Sequence, residues 1–156
     1  MTIEDDIAFL EQVPILRRLG EPALRMLAIG AESRDLDPGQ MLFAAGEGAD
    51  GAYIVQRGSL NLKPQRASDG EVVAGPGTLL GESALLAETI RPATATARET
   101  ATVMRISRAM FLKVLEGYPE AAQRMREVIA ARADQWARDI ENVRAAFIRG
   151  NEPRSP

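Results

Sequence analysis

The sequence predicts a mainly β fold with flanking helices: an eight-stranded, jelly-roll-like β-barrel carrying N-terminal helices and a long C-terminal helix. Three observations lead there. From about residue 31 to 107, short apolar stretches are punctuated by glycine and proline, the pattern of many short strands joined by tight turns. Ahead of that stretch, apolar residues recur at helical spacing. Behind it, from Ser107 onward, the chain reads as helix almost to its end.

The first helical stretch, residues 3 to 30, places Ile3, Ile7 and Leu10 on one face, then Leu16, Leu19, Leu24, Leu27 and Ile29 after a break at Pro14. Pro22 suits a first helical turn, so two short helices joined by a Pro/Gly-containing turn are expected. In the β region, Asp37-Pro38-Gly39 is a turn, followed by Met41-Leu42-Phe43 and a second turn near Gly46-Glu47-Gly48. Tyr53-Ile54-Val55, Gly58 and Leu60-Asn61-Leu62 suit a hairpin, which Ser68-Asp69-Gly70 connects to Glu71-Val72-Val73-Ala74. Gly75-Pro76-Gly77 leads into Leu79-Leu80, and Thr102-Val103-Met104-Arg105-Ile106 supplies the last strand. Gly39, Gly46, Gly58 and Gly77 are read as turn glycines that touch no ligand.

Ser107 caps a helix over 108 to 116, Gly117-Tyr118 interrupts it, and Pro119 opens a second helix running to about Phe147. At 1.5 Å per residue that helix is roughly 40 Å long, more than a small barrel needs to cover its side. Ile129, Trp136 and Val143 recur every seven residues, with Met125, Ile140 and Phe147 near the same face, so a short seam with a second helix is expected. Packing of that face onto the barrel is the alternative. The organisation expected is a single domain over 1–149, with helices at 3–30, the barrel at 31–107 and C-terminal helices at 108–149, then a flexible tail at 150–156.

Composition narrows the function classes. The 156 residues suit one domain, and 46% hydrophobic with 26% charged content fits a globular chain. A net charge of −3 gives no general pull toward nucleic acid or an anionic membrane, and the arginines after 107 alternate with acids rather than forming a basic face. No stretch is apolar enough to span a bilayer and the first residues are acidic, so a cytoplasmic location is expected. Cysteine and histidine are both absent, which removes disulfides, the usual zinc and iron–sulfur ligand sets and histidine acid/base chemistry. No nucleophile with an adjacent base appears, and no enzyme, cofactor or metal site is expected.

The chemistry concentrates in residues 81 to 94, GESALLAETIRPAT. Gly81 allows close approach of backbone to a ligand, and Glu82 offers a carboxylate that accepts from hydroxyls. Ser83-Ala84-Leu85-Leu86 suit one helical turn, whose leading amides favour an anion. Nine residues after Glu82, Arg91 provides a guanidinium able to clamp two phosphate oxygens, ahead of an alternating run from Pro92 to Ala97. A carboxylate for sugar hydroxyls, amides for a phosphate and an arginine for its charge describe a small nucleotide whose phosphate lies close to its ribose.

This segment resembles the phosphate-binding cassette of the cyclic nucleotide-binding domain family, which includes the catabolite activator protein, protein kinase A regulatory subunits and cyclic nucleotide-gated channels. Gly81, Glu82, Ala84, Leu85, Arg91, Ala93 and Thr94 stand at the family's spacing, and YIVQRGSL at 53–60 is similar to the family's hairpin with a required glycine. The resemblance implies that Arg91 binds the exocyclic phosphate oxygens and Glu82 the ribose 2′-hydroxyl. Gly81 and Ala84 would contribute backbone groups, with Ser83 a further candidate. It also implies a lid over the purine from the last helix, where Trp136, with Arg132 and Gln135, can stack on a base. The departure is Pro92, where many relatives place Ala, Ser or Thr: it has neither N–H nor hydroxyl to donate, and since the resemblance implies that Thr or Ser here favours cGMP, the expected ligand tilts toward cAMP.

The expected function is therefore a non-enzymatic cyclic nucleotide sensor, homodimeric through its last helix, acting on an effector protein and touching neither nucleic acid nor membrane. Transcription factors of the family carry a helix-turn-helix module after the long helix, where this sequence has only a short tail; a stand-alone regulator beginning at Met1 is expected, with a truncated chain the alternative. A degenerate fold that serves as a ligand-independent dimeric interaction module is the alternative, and Pro92 motivates it.

Overall fold

The computed structural model describes residues 2–65, 70–128 and 130–131. Three helices lead: α1 (Ile3–Glu11), α2 (Pro14–Arg17) and α3 (Glu21–Gly30). The expected pair of helices becomes three because Pro14 and Pro22 each open a helix of their own, at a position where a missing N–H costs nothing. At the start of α1, the Thr2 hydroxyl accepts from the Asp5 amide at 3.2 Å while the Asp5 carboxylate accepts from the Thr2 amide at 3.1 Å, a reciprocal cap.

Ten strands follow among the described residues: β1 (Glu32–Leu36), β2 (Met41–Phe43), β3 (Gly48–Ala49), β4 (Gly51–Arg57), β5 (Leu60–Pro64), β6 (Val72–Ala74), β7 (Leu79–Leu80), β8 (Thr89–Ile90), β9 (Ala93–Ala97) and β10 (Ala101–Ser107). The count exceeds the expected eight by the pair β3 and β8, and no closed barrel is formed among the described residues. Hydrogen bonding divides the strands into a sheet of order β1-β10-β4-β7, a second of order β2-β9-β5-β6, and the two-stranded pair β3-β8. The extra strands are two-residue pairings too short to leave a period in the sequence. The expected hairpin at 53–62 is corrected as well, since β4 and β5 belong to different sheets. Gly58, at φ +73° and packed against the Thr100 carbonyl, lets the chain cross from one sheet to the other.

Two cores result, and β4 and β10 divide them. Ala52 and Ile54 of β4, with Met104 and Ile106 of β10, face a cluster built from Leu10, Leu16, Leu24, Leu27 and Phe111. Their alternate neighbours Tyr53, Val55 and Val103 face the other sheet, with Phe43, Leu60, Ala95 and Ala97. A strand with both faces covered loses polar alternation, which is why Gly51 to Val55 are buried without a break.

Ser107 caps α4 (Arg108–Gly117) by accepting from the Met110 amide at 3.2 Å, as its sequence position predicts. Tyr118 leaves the helix, and residues 119–128 and 130–131 are helical again. On this last segment Ala121 and Met125 are buried in the helical cluster with Val128 packed beside it, so Met125 serves intramolecular packing and not a seam with another chain. The other expected seam positions, Ile129, Trp136, Ile140, Val143 and Phe147, lie outside the described residues, as does the expected tail at 150–156. No helix among the described residues is long and apolar enough to cross a membrane.

Candidate functional site

The sequence between β7 and β9 folds as a tight excursion. Gly81 sits at φ +82°, ψ 37°, a left-handed conformation that glycine adopts without penalty, and turns the chain into a single 3₁₀ turn, Glu82–Leu85. The Ala84 amide closes that turn onto Gly81 O at 2.9 Å, and Leu86 and Ala87 donate to Ser83 O at 3.3 and 3.2 Å. The Ala84 N–H is therefore already engaged, and the turn's leading amides are those of Glu82 and Ser83. Ala84 and Leu85 are buried and Leu85 joins the helical core, so the turn is anchored from beneath while Ser83 stays exposed. Full burial of a leucine contributes about 2 kcal/mol to such an anchor.

Arg91 follows β8 and points inward. Its main chain is pinned on both sides, donating to Glu47 O and accepting from the Gly46 amide, each at 2.8 Å. Its side chain is 4% exposed, unusual for an arginine. Nη2 donates to Gly51 O at 2.9 Å, while Nη1 is buried with no hydrogen-bond partner. The guanidinium carbon lies 4.4 Å from the centroid of Phe43 and 5.5 Å from that of Tyr53. Among the described residues no carboxylate reaches ion-pair distance of it, and the nearby Asp50 is bonded instead to Arg105 at 2.7 Å. Burial accordingly lowers the Arg91 pKa from its ordinary value, partly offset by Tyr53, Asp50 and Glu47. An unpaired buried cation is costly, and an anion arriving at Nη1 would relieve that cost.

Gly81 stands directly against this orphaned nitrogen: a Cβ there would collide with Arg91 Nη1 and lie 3.3 Å from Gly51 O. Gly81, Gly51 and Arg91 thus converge, with Glu82, half-buried, next in the chain. Pro92 does not join them; it is exposed, and its carbonyl accepts from the Gln65 amide at 3.3 Å. Trp136 lies outside the described residues.

Sequence reasoning missed four participants. Gly51 supplies the carbonyl that holds Nη2, and its own Cβ would strike the backbone at Ile106 and Ser107. Phe43 and Tyr53 read as ordinary strand residues. Arg108, the first residue of α4, donates through Nη1 to Ala49 O at 3.0 Å, Ala84 O at 3.2 Å and Ala87 O at 3.0 Å, tying the helix to the turn. No local pattern announces any of these contacts. Elsewhere, a groove of about 460 Å³ between α2–α3 and the α4 exit is lined by Leu19, Pro22, Tyr118 and Arg124. It shares no residue with the Arg91 site and holds no fully buried, unpaired polar side-chain atom of the described residues.

Two sheets with flanking helices, and a buried arginine beside a glycine-led turn, define a β domain that holds a guanidinium in its interior. Comparison with known proteins gives the class its family. The model of the cyclic nucleotide-binding domain matches residues 33–118. A cAMP-dependent protein kinase regulatory subunit from Yarrowia lipolytica is 32% identical over 107 residues, 69% of this chain and 28% of that protein. The structure of a cyclic nucleotide-binding-like protein from Brucella abortus is 41% identical at a TM-score of 0.64, covering 72% of this chain and 98% of that one. The N-terminal domain of a transcriptional regulator from Streptomyces coelicolor shares the fold at a TM-score of 0.76 and 24% identity, over 85% of this chain and 94% of that one. The chain belongs to the cyclic nucleotide-binding domain family. It spans about a third or less of the length of the curated relatives it matches.

Proposed function

We propose that this chain is a regulatory sensor of cyclic nucleotide, with cAMP its ligand, rather than an enzyme. The observation that carries the reading is Arg91 Nη1, buried without a hydrogen-bond partner against Gly81, whose missing side chain makes room for the guanidinium at the head of the turn. In this reading Arg91 grips the exocyclic phosphate oxygens, the leading amides of the 3₁₀ turn support them, and Glu82 accepts from the ribose 2′-hydroxyl. Each charge-assisted bond contributes about 1.5–3 kcal/mol. Pro92, exposed and without a donor, offers nothing to a guanine and so favours cAMP over cGMP. Trp136 covers the base, and the last helix pairs two copies and passes the signal to an effector protein. The eight strands of the two larger sheets are read as the faces of a jelly roll, with β3-β8 an added ribbon.

Leu85, packed in the helical core, and Arg108, bonded to the turn's carbonyls, support a route from ligand to helices. Closing the turn on a phosphate shifts the platform on which α4 rests. Calorimetry with cAMP and cGMP, run beside light scattering, tests the reading: sub-millimolar binding of cAMP that disappears in Arg91→Ala is expected. Absence of heat with either nucleotide overturns it and favours the ligand-independent module, for which the lost donor at Pro92 is the motivating feature.

A further inference from the structure

A planar cation held by one hydrogen bond is free to pivot about it. Arg91 has the single bond from Nη2 to Gly51 O and, among the described residues, no carboxylate at ion-pair distance to fix its plane. What lies against it is the face of Phe43, at 4.4 Å, with Tyr53 at 5.5 Å. The two rings are themselves stacked, 5.9 Å apart at an interplanar angle of 28°. On its other side Tyr53 is braced by Arg34, whose Nη1 donates to the phenol oxygen at 3.2 Å.

We propose that Phe43, backed by Tyr53, is a positioning residue for anion binding: its ring face sets the plane and depth of the Arg91 guanidinium, leaving Nη1 aimed at the ligand. The inference rests on the sensor reading above and adds to it the part that keeps the arginine ready. Both components are rooted in fixed backbone. Phe43 ends β2 opposite Ala95 of β9, and the Arg91 main chain is bonded on either side to Gly46 and Glu47, just beyond β2. Ring and guanidinium therefore hang from adjoining, hydrogen-bonded stretches and cannot drift apart independently. What the aromatic ring adds to apolar bulk is a negative π face, which attracts a desolvated cation more strongly than an exposed one.

The test uses the whole chain and three substitutions. Phe43→Met keeps bulk and apolarity without a π face, while Phe43→Tyr and Phe43→Trp restore the face. By calorimetry with cAMP, Phe43→Met is expected to bind about tenfold more weakly, the scale of one desolvated cation–π contact, with Phe43→Tyr or Phe43→Trp recovering most of the loss. Thermal melts of the ligand-free proteins separate this from simple destabilisation, because rescue must follow the ring and not the melting temperature. A second reading needs no ligand: ring currents should move the Arg91 side-chain resonances upfield in the parent protein, assigned by their absence in Arg91→Lys, and the shift should vanish in Phe43→Met. Unshifted Arg91 resonances, or Phe43→Met binding as tightly as the parent, overturn the proposal. If the parent binds neither nucleotide, the sensor reading fails by itself, and the resonance comparison still decides whether the ring sets the guanidinium.

Discussion

Replacing Gly81 by alanine should harm the protein twice, and the two parts can be separated. The first is conformational: at φ +82° and ψ 37°, a residue with a Cβ costs about 1–2 kcal/mol. The second is steric, since the new methyl would occupy the place of Arg91 Nη1 and force the guanidinium away from Gly51 O. Loss of that charge-assisted bond adds about 1.5–3 kcal/mol. Urea unfolding of the ligand-free chain should then show Gly81→Ala destabilised by roughly 2–4 kcal/mol, both components being partly relieved by local adjustment. In an Arg91→Ala background only the conformational part remains, about 1–2 kcal/mol. The cycle should therefore return a coupling of about 1 kcal/mol or more between residues ten apart in sequence. Additive effects within about 0.5 kcal/mol would refute the claim that Gly81 exists to make room for this arginine.

Two further outcomes are expected. Arg108→Ala removes the donor shared by Ala49, Ala84 and Ala87 carbonyls and should destabilise the chain by about 1–3 kcal/mol. Hydrogen exchange should quicken at the Leu86 and Ala87 amides, and unchanged exchange there would show that Arg108 does not brace the turn. The Asp5 carboxyl, accepting first from the Thr2 amide and then from its hydroxyl, is held below the ordinary carboxylate value. A folded-state pKa below the unfolded one means stability that is present above the unfolded value, near 3.9, and lost as pH falls through the folded one. Carboxyl NMR titration should find Asp5 titrating low, and Asp5→Ala should flatten the acid limb of the stability curve.

What sequence could announce here is what short-range chemistry controls. Ser107 as a cap, Pro22 in a first helical turn and the turn after Gly81 all depend on residues within four positions of each other, and each is legible, whereas Pro14 reads as a break and opens a helix of its own. The pairing of Arg91 with Gly51 spans forty residues. Alternation along β4 and β5 marks both as strands, yet it carries no information about which partners they choose, so a hairpin and a crossing between sheets look alike until Gly58 is seen against Thr100. Phe43 read as one apolar residue among many because its distinction is a neighbour, not a pattern. Met125 lies near the face of the seven-residue rhythm by coincidence of helical spacing, and it is buried in the same cluster as residues of the N-terminal helices.

The central place of β10 has a consequence for how the molecule is made. Among the described residues β1 pairs with β10 alone, from Glu32 opposite Arg105 to Leu36 opposite Ala101, and β4 relies on the same seven-residue strand along its other edge. During synthesis at roughly 5–20 residues per second, β1 emerges early and waits several seconds for its mate. Throughout that interval a growing chain presents an open edge to its neighbours on the same messenger. Crowded polysomes should therefore be the moment of greatest risk for this protein, and the danger passes once Ala101–Ser107 slides into the gap.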